Sequence, residues 1–218
     1  MTLHPAVLER PVAGAFTGVL LDMDGTLVDS DAAVERSWRS WAGRWGADPD
    51  AVLAVMTGHP ADATVRRVRP DLDETTIAAA ARDHLEHEYT DLADVVAAPG
   101  ARELIAHLEA TFTPWAVVTS ADTRLARARL AAAGLEFPVL VPRDMVAAGK
   151  PDPEGYLTAA DLLGVRPADC LVVEDSAVGV AAGRAAGATV AGLRGVEADV
   201  AIGSLHDVVD LIAQEVTA

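Results

Sequence analysis

Three short apolar stretches of the chain each run straight into polar residues. Val19-Leu20-Leu21 leads into Asp22-Met23-Asp24-Gly25-Thr26, Trp115-Ala116-Val117-Val118 into Thr119-Ser120, and Cys170-Leu171-Val172-Val173 into Glu174-Asp175-Ser176. Apolar runs of this length, bounded by turn-forming residues, predict buried strands. Helical signals lie between and after them. Pro99 opens a helix over Ala101–Ala110, Asp122 caps one ending at Gly134, Asp152-Pro153 starts one ending at Gly164, and a small-residue helix runs from about Ala177 to Ala186. Strands alternating with helices predict an α/β fold built on a Rossmann-like parallel sheet with right-handed crossovers.

One interval breaks the alternation. From Asp31 to Ala97 the pattern is helical, with Trp38, Trp41 and Trp45 at the spacing that buries one face of a helix. The chain therefore divides into an α/β core, residues 1–30 and 98–218, and a small inserted helical domain, residues 31–97. A length of 218 residues accommodates a core with such an insertion. Gly179, Gly183 and Gly187 recur every four residues in the last helical region, which predicts close packing of that helix on the sheet.

Charge narrows the partners. A formal net charge of −16 disfavours nucleic-acid backbones and anionic membrane surfaces, both of which need clustered cations. The start of the chain, with Glu9, Arg10 and Pro11 interrupting any apolar stretch, does not read as a signal peptide, and no run reaches the roughly 20 apolar residues of a membrane span. A cytoplasmic monomer is the expectation. The single cysteine, Cys170, sits inside a predicted strand and is expected to be a small buried side chain.

The chemistry gathers at the strand ends, where ligands of open α/β sheets bind. Asp22 and Asp24, one residue apart, would attract a hard divalent cation such as Mg²⁺, and Gly25 lets the backbone turn sharply beside a ligand. An EF-hand calcium loop is ruled out by register, because placing Gly25 at the sixth loop position puts Leu20 where the first oxygen ligand belongs. Thr119 and Ser120 offer hydroxyl and amide donors for phosphate oxygens. The 17 basic residues include one lysine, Lys150, in Gly149-Lys150-Pro151. A compact ammonium in a chain that otherwise uses arginine suits a phosphate contact.

Taken in order, Asp22-Met23-Asp24-Gly25-Thr26, Thr119-Ser120, Lys150-Pro151 and Glu174-Asp175 resemble the four motifs of the haloacid dehalogenase-like hydrolase superfamily. The resemblance spans essentially the whole chain. It implies that Asp22 is a nucleophile forming an aspartyl-phosphate, Asp24 the general acid and base, Thr119 a phosphate ligand and Lys150 the charge-neutralising clamp. Asp22, Asp24, Glu174 and Asp175 form the implied Mg²⁺ set. The insertion is implied to be a lid that excludes water and selects the leaving group.

Within the insertion, Thr57-Gly58-His59-Pro60 is the candidate substrate loop, with His59 positioned to donate to a sugar or polyol hydroxyl. Arg66, Arg67 and Arg69 read as a solvated face, and His84 and His87 as surface residues. The insertion holds no lysine, which removes Schiff-base chemistry. Asp24 argues against the dehalogenases of the superfamily, which have no alkoxide leaving group to protonate. Pro60 and Ala61 follow His59 where β-phosphoglucomutase-like relatives place an arginine. The expected activity is phosphomonoester hydrolysis on a small sugar or polyol phosphate, of the glycerol-phosphate or deoxysugar- and hexose-phosphate type. A mutase, or a non-enzymatic phosphoacceptor or binding protein on the same fold, is the alternative.

Overall fold

The computed structural model describes residues 16–57 and 59–213. In chain order the elements are β1 (Gly18–Leu21), β2 (Val28–Asp29), α1 (Asp31–Trp45), α2 (Pro49–Met56), α3 (Ala61–Val68), α4 (Glu74–Glu88), β3 (Val96–Ala97), α5 (Ala101–Ala110), β4 (Trp115–Val118), α6 (Thr123–Ala132), β5 (Leu140–Val141), α7 (Glu154–Leu163), β6 (Cys170–Glu174), α8 (Ala177–Ala185), β7 (Thr189–Gly192), β8 (Val200–Ala201) and α9 (Leu205–Ala213).

Six strands form one parallel sheet in the order β5-β4-β1-β6-β7-β8. The three strands expected from the apolar runs are adjacent at its centre, with Leu21 in register with Val117 on one side and Val173 on the other. Every residue of β1, β4 and β6 is buried, which is why they read as unbroken apolar runs. The chain leaves β1 toward both edges of the sheet, so the carboxyl ends of β4, β1 and β6 open at a topological switch point.

Helix boundaries follow the caps. Asp122 accepts a hydrogen bond from the Leu125 N–H at 2.9 Å to start α6, and Ser176 accepts from Gly179 at 3.1 Å to start α8. α7 ends at Gly164 in the left-handed region. Of the three recurrent glycines, Gly179 and Gly183 pack closely as expected. A Cβ on Gly183 would approach Val190 and Val172 to about 3 Å, whereas Gly187 has open space around it and instead supplies the positive φ that ends α8.

The four helices α1–α4 lie between β2 and β3, which pair antiparallel at the neck of the insertion. They enclose their own apolar cluster, built on Trp38, Trp41, Val52, Val65 and Ile77. Trp41 is fully buried and its indole N–H donates to the Ala80 carbonyl at 2.9 Å, so the tryptophan stripe is the core of the insertion. The expectation for His84 is overturned: it is 1% exposed, stacked on Trp38 with ring centroids 3.6 Å apart. An aromatic neighbour and two polar partners give that imidazole a buried place that its sequence position does not show. None of the described helices is long and apolar enough to cross a membrane.

Candidate active site

β1 carries Asp22 to the sheet's carboxyl edge, and the chain turns at once. The N–H groups of Leu27 and Val28 both donate to the Met23 carbonyl at 2.9 Å. Gly25 stands in this turn at φ +82, and a Cβ there would lie 2.0 Å from Asp175 Oδ2. No other residue allows the turn after β1 to press so closely on the end of β6.

Lys150 closes the site. Its ammonium donates to Asp22 Oδ1 at 2.5 Å, Glu174 Oε1 at 2.6 Å and the Val118 carbonyl at 3.1 Å. Those three contacts come from the ends of β1, β6 and β4, and they use all three ammonium donors. Burial alone would lower the lysine pKa, but the charges of Asp22 and Glu174 raise it, so Lys150 stays protonated. Glu174 is itself fully buried and accepts further from the Tyr156 hydroxyl at 2.6 Å and the Ser176 hydroxyl at 3.0 Å.

Three carboxylates share this space. Asp22, Glu174 and Asp175 each present an oxygen within 4.8 Å of the others. Burial pushes Asp22 well above the usual carboxylate range; Lys150 pulls it back, and Glu174 and Asp175 push it up again. Asp175 is pushed up to about 6 by burial and then by Glu174, with Arg194 3.7 Å away as a weak counterweight. One ammonium among three crowded carboxylates leaves net negative charge, and an all-oxygen donor set of this kind fits a hard divalent cation.

The Asp24 carboxylate, expected in the metal set, is held elsewhere. It accepts from the Ser30 hydroxyl at 2.7 Å and pairs with the Arg129 guanidinium at 2.9 Å. Its side chain remains 29% exposed, on the wall of a cleft of about 710 Å³ that also opens onto Asp22, Thr119, Ser120, Lys150 and Asp175. Thr119 is fixed at the end of β4, its hydroxyl accepting from the Ala121 N–H at 3.0 Å. The insertion roofs the cleft through Val34, Trp38 and Met56 of its helices and His59 of the loop between α2 and α3.

His59 lies on that roof, with Nδ1 2.9 Å from the Thr57 carbonyl and Nε2 2.7 Å from Arg67. Gly58 lies outside the described residues. Arg66 pairs with Glu74 and Asp62, and Arg69 with Asp71, so these two charges are spent within the insertion.

The order and placement of these groups match a known family. Residues 16–187 fit the family model described as haloacid dehalogenase-like hydrolase. The chain belongs to that family. Hexitol phosphatase A of Escherichia coli (strain K12) is 47% identical over 172 residues, spanning 78% of this chain and 79% of that protein. Fructose-1-phosphate phosphatase YqaB of the same organism is 31% identical over 185 residues, spanning 79% of this chain and 93% of that protein. Among solved structures, CbbY from Rhodobacter sphaeroides in complex with phosphate superposes with a TM-score of 0.78 at 25% identity, covering 88% of this chain and 96% of that one.

This haloacid dehalogenase-like hydrolase also builds its site from residues that sequence reasoning missed. Tyr156, on the buried face of α7, holds Glu174. Arg129 and Glu88 meet at 2.7 Å between α6 and α4, both side chains buried. The available signal was a charge at a helical core position: Leu125, Ala126, Arg129 and Leu130 form the buried face of α6.

Proposed function

We propose that this enzyme is a Mg²⁺-dependent phosphomonoester hydrolase that acts through an aspartyl-phosphate on a small sugar or polyol phosphate. The observation that carries the reading is the buried Asp22 carboxylate at the end of β1, ion-paired at 2.5 Å with the one lysine of the chain and facing a roofed cleft of about 710 Å³. Such a pair is a fixed nucleophile beside a fixed positive charge, which is the arrangement phosphoryl transfer needs.

Asp22, Glu174 and Asp175 would hold Mg²⁺, whose charge when bound offsets repulsion between the Asp22 carboxylate and a phosphate dianion. An Asp22 oxygen attacks phosphorus, and the P–O bond to the sugar or polyol breaks. Asp24 gives its proton to the departing oxygen, then takes one from the water that hydrolyses the phosphoaspartate. Thr119 and Ser120 supply donors to the phosphoryl oxygens. Lys150 keeps Asp22 aimed, and engages a phosphate oxygen by releasing one of its three present acceptors.

Residues 31–97 act as the cap. They roof the cleft with Trp38, Met56 and His59, which exclude water and face the leaving group. His59, on that roof, is the residue proposed to meet its hydroxyls. The substrate class rests on the relatives, which are named for hexitol and fructose phosphates, and on a roof that presents few free cations to an anionic leaving group. The net charge of −16 supports a monomer acting on small metabolites, without nucleic-acid or membrane partners, and a modest affinity for phosphate esters.

The test is phosphate release with Mg²⁺ across hexitol, hexose, deoxyhexose and glycerol phosphates, phosphoglycolate and β-glucose 1-phosphate, with Asp22→Asn as control. Release from a compact polyol or sugar ester, abolished in the variant, supports the reading. Isomerisation of β-glucose 1-phosphate without release makes the protein a mutase, and no reaction with any ester refutes catalysis.

A further inference from the structure

A buried polar chain connects the cap to Asp24. Arg129 of α6 places Nη1 2.9 Å from Asp24 Oδ2 and Nη2 2.7 Å from Glu88 Oε1 of α4. Glu88 Oε2 lies 3.2 Å from His84 Nε2, and His84 Nδ1 lies 3.2 Å from the Ser37 hydroxyl of α1. The His84 ring stacks on Trp38, which lines the roof of the cleft. Ser37, His84, Glu88 and Arg129 are each 7% exposed or less.

Three features mark this chain as more than a surface latch. Among the described residues, the other ion pairs that cross between cap and core, Arg124 with Glu86 and Arg194 with Asp31, are exposed on both sides. Arg129 Nε is buried without a partner, so the guanidinium leaves one donor unused while it holds two carboxylates. Removing Glu88 would leave Arg129 bound to Asp24 alone, which ties the carboxylate's orientation to a residue of the cap.

We propose that Glu88 and His84 of the cap are positioning residues that act through Arg129, so that the seating of the cap on the core sets where the Asp24 carboxylate points. This rests on the proposed role of Asp24 as proton donor to the leaving oxygen and acceptor from water. Glu88 shares Arg129 with Asp24 and keeps the guanidinium from drawing the carboxylate fully to itself. With the cap seated, Asp24 stays at the cleft wall, facing the ester oxygen. With Glu88 withdrawn, the freed Nη2 turns to Asp24 as well and holds it back from that oxygen.

The test separates the two chemical steps. Nitrophenolate leaves without a proton, so its release reports attack by Asp22 alone, whereas later turnover needs Asp24 to take a proton from water. Wild-type protein and Glu88→Gln are mixed rapidly with p-nitrophenyl phosphate and Mg²⁺, and sorbitol 6-phosphate is followed at steady state. Glu88→Gln is expected to form its first equivalent of nitrophenolate at the wild-type rate. Its steady-state turnover, and its kcat on sorbitol 6-phosphate, should fall about tenfold, a fraction of what full general acid–base catalysis contributes, with KM unchanged. Glu86→Gln, which breaks an exposed pair on the same helix, should match wild type.

A proportional fall in the first equivalent and in turnover means that Glu88 only supports folding, and overturns the proposal. So does unchanged kinetics. If Glu88→Gln does not fold, Arg129→Lys keeps a buried cation that cannot hold both carboxylates, and must show the same split. Wild-type protein that releases no nitrophenolate at all refutes the hydrolase reading itself, a result the variants cannot produce.

Discussion

Tyr156 and Glu174 meet where neither side chain reaches solvent, the phenol donating to Oε1 at 2.6 Å. The same oxygen accepts from Lys150, so the tyrosine completes the shell that fixes a candidate metal ligand. Burial and then the charge of Glu174 hold the phenol well above its ordinary pKa, so it remains a donor at any working pH. Tyr156→Phe removes one bond to a buried charge and leaves Lys150 and Ser176 in place. Stability should fall by about 1.5 kcal/mol, the usual contribution of a hydrogen bond to a charged group, as read from urea unfolding. An unchanged midpoint would mean that the hydroxyl contributes nothing to holding Glu174.

Lys150 is the only cation in direct contact with Asp22 and Glu174 among the described residues. Lys150→Met leaves two buried carboxylates without their counter-charge, and loss of one partner from such a group typically costs about 3 to 5 kcal/mol. Lys150→Arg should do little better, because a planar fork cannot reproduce three contacts converging on one nitrogen. Both variants should lose at least about 100-fold in kcat, measured at saturating substrate with Mg²⁺. Arginine working as well as lysine would reduce Lys150 to a generic positive charge.

The parts legible in the sequence were those in which local pattern and tertiary role coincide. β1, β4 and β6 are buried on both faces, so they had to be apolar throughout, and their polar ends had to be chemistry or turns. α5, α6 and α7 announced themselves through Pro99, Asp122, Gly134 and Gly164, and α8 through its run of small residues. The two-residue strands β2, β3, β5 and β8 are too short to carry a period. Arg129, Glu88 and His84 stayed hidden for a different reason. Each is a charged or polar residue whose burial depends on a partner on another helix, 41 residues away for Arg129 and Glu88 and 47 for Ser37 and His84. Tyr156 likewise owes its role to a carboxylate on the neighbouring strand.

Gly179 opens the first turn of α8 directly above Glu174. A Cβ there would stand 1.8 Å from Glu174 Oε1, and that carboxylate cannot swing aside because Lys150, Tyr156 and Ser176 all hold it. Gly179→Ala must therefore move the helix or break the shell. It should lower stability by about 2 kcal/mol, a typical overpacking cost, and weaken Mg²⁺ binding along with it. Gly187→Ala, at a position with open space but φ +86, should lose stability through backbone strain without changing Mg²⁺ affinity. Calorimetric titration with Mg²⁺ distinguishes the two, and equal affinities would remove Gly179 from the account of the metal site.

Asp175 makes metal binding depend on pH in a direction that can be worked out. Burial, then the Glu174 charge, raises it from its ordinary value of 3.8 to about 6 without a bound cation. A carboxyl raised on folding favours the folded state at low pH, and that contribution is lost as pH rises through its folded pKa. The metal-free protein should therefore lose stability between about pH 4 and 6 on account of this group. A divalent ion needs the carboxylate form, so binding below pH 6 must expel a proton from Asp175, whereas above it this carboxyl has none to lose. The increase in Tm produced by a fixed concentration of Mg²⁺ should grow from pH 5 to pH 7 and then level off, and Asp175→Asn should remove most of the increase and flatten its pH dependence. An increment that is constant across this range in the wild-type protein, or one that survives intact in Asp175→Asn, would place the ion somewhere other than on Asp175.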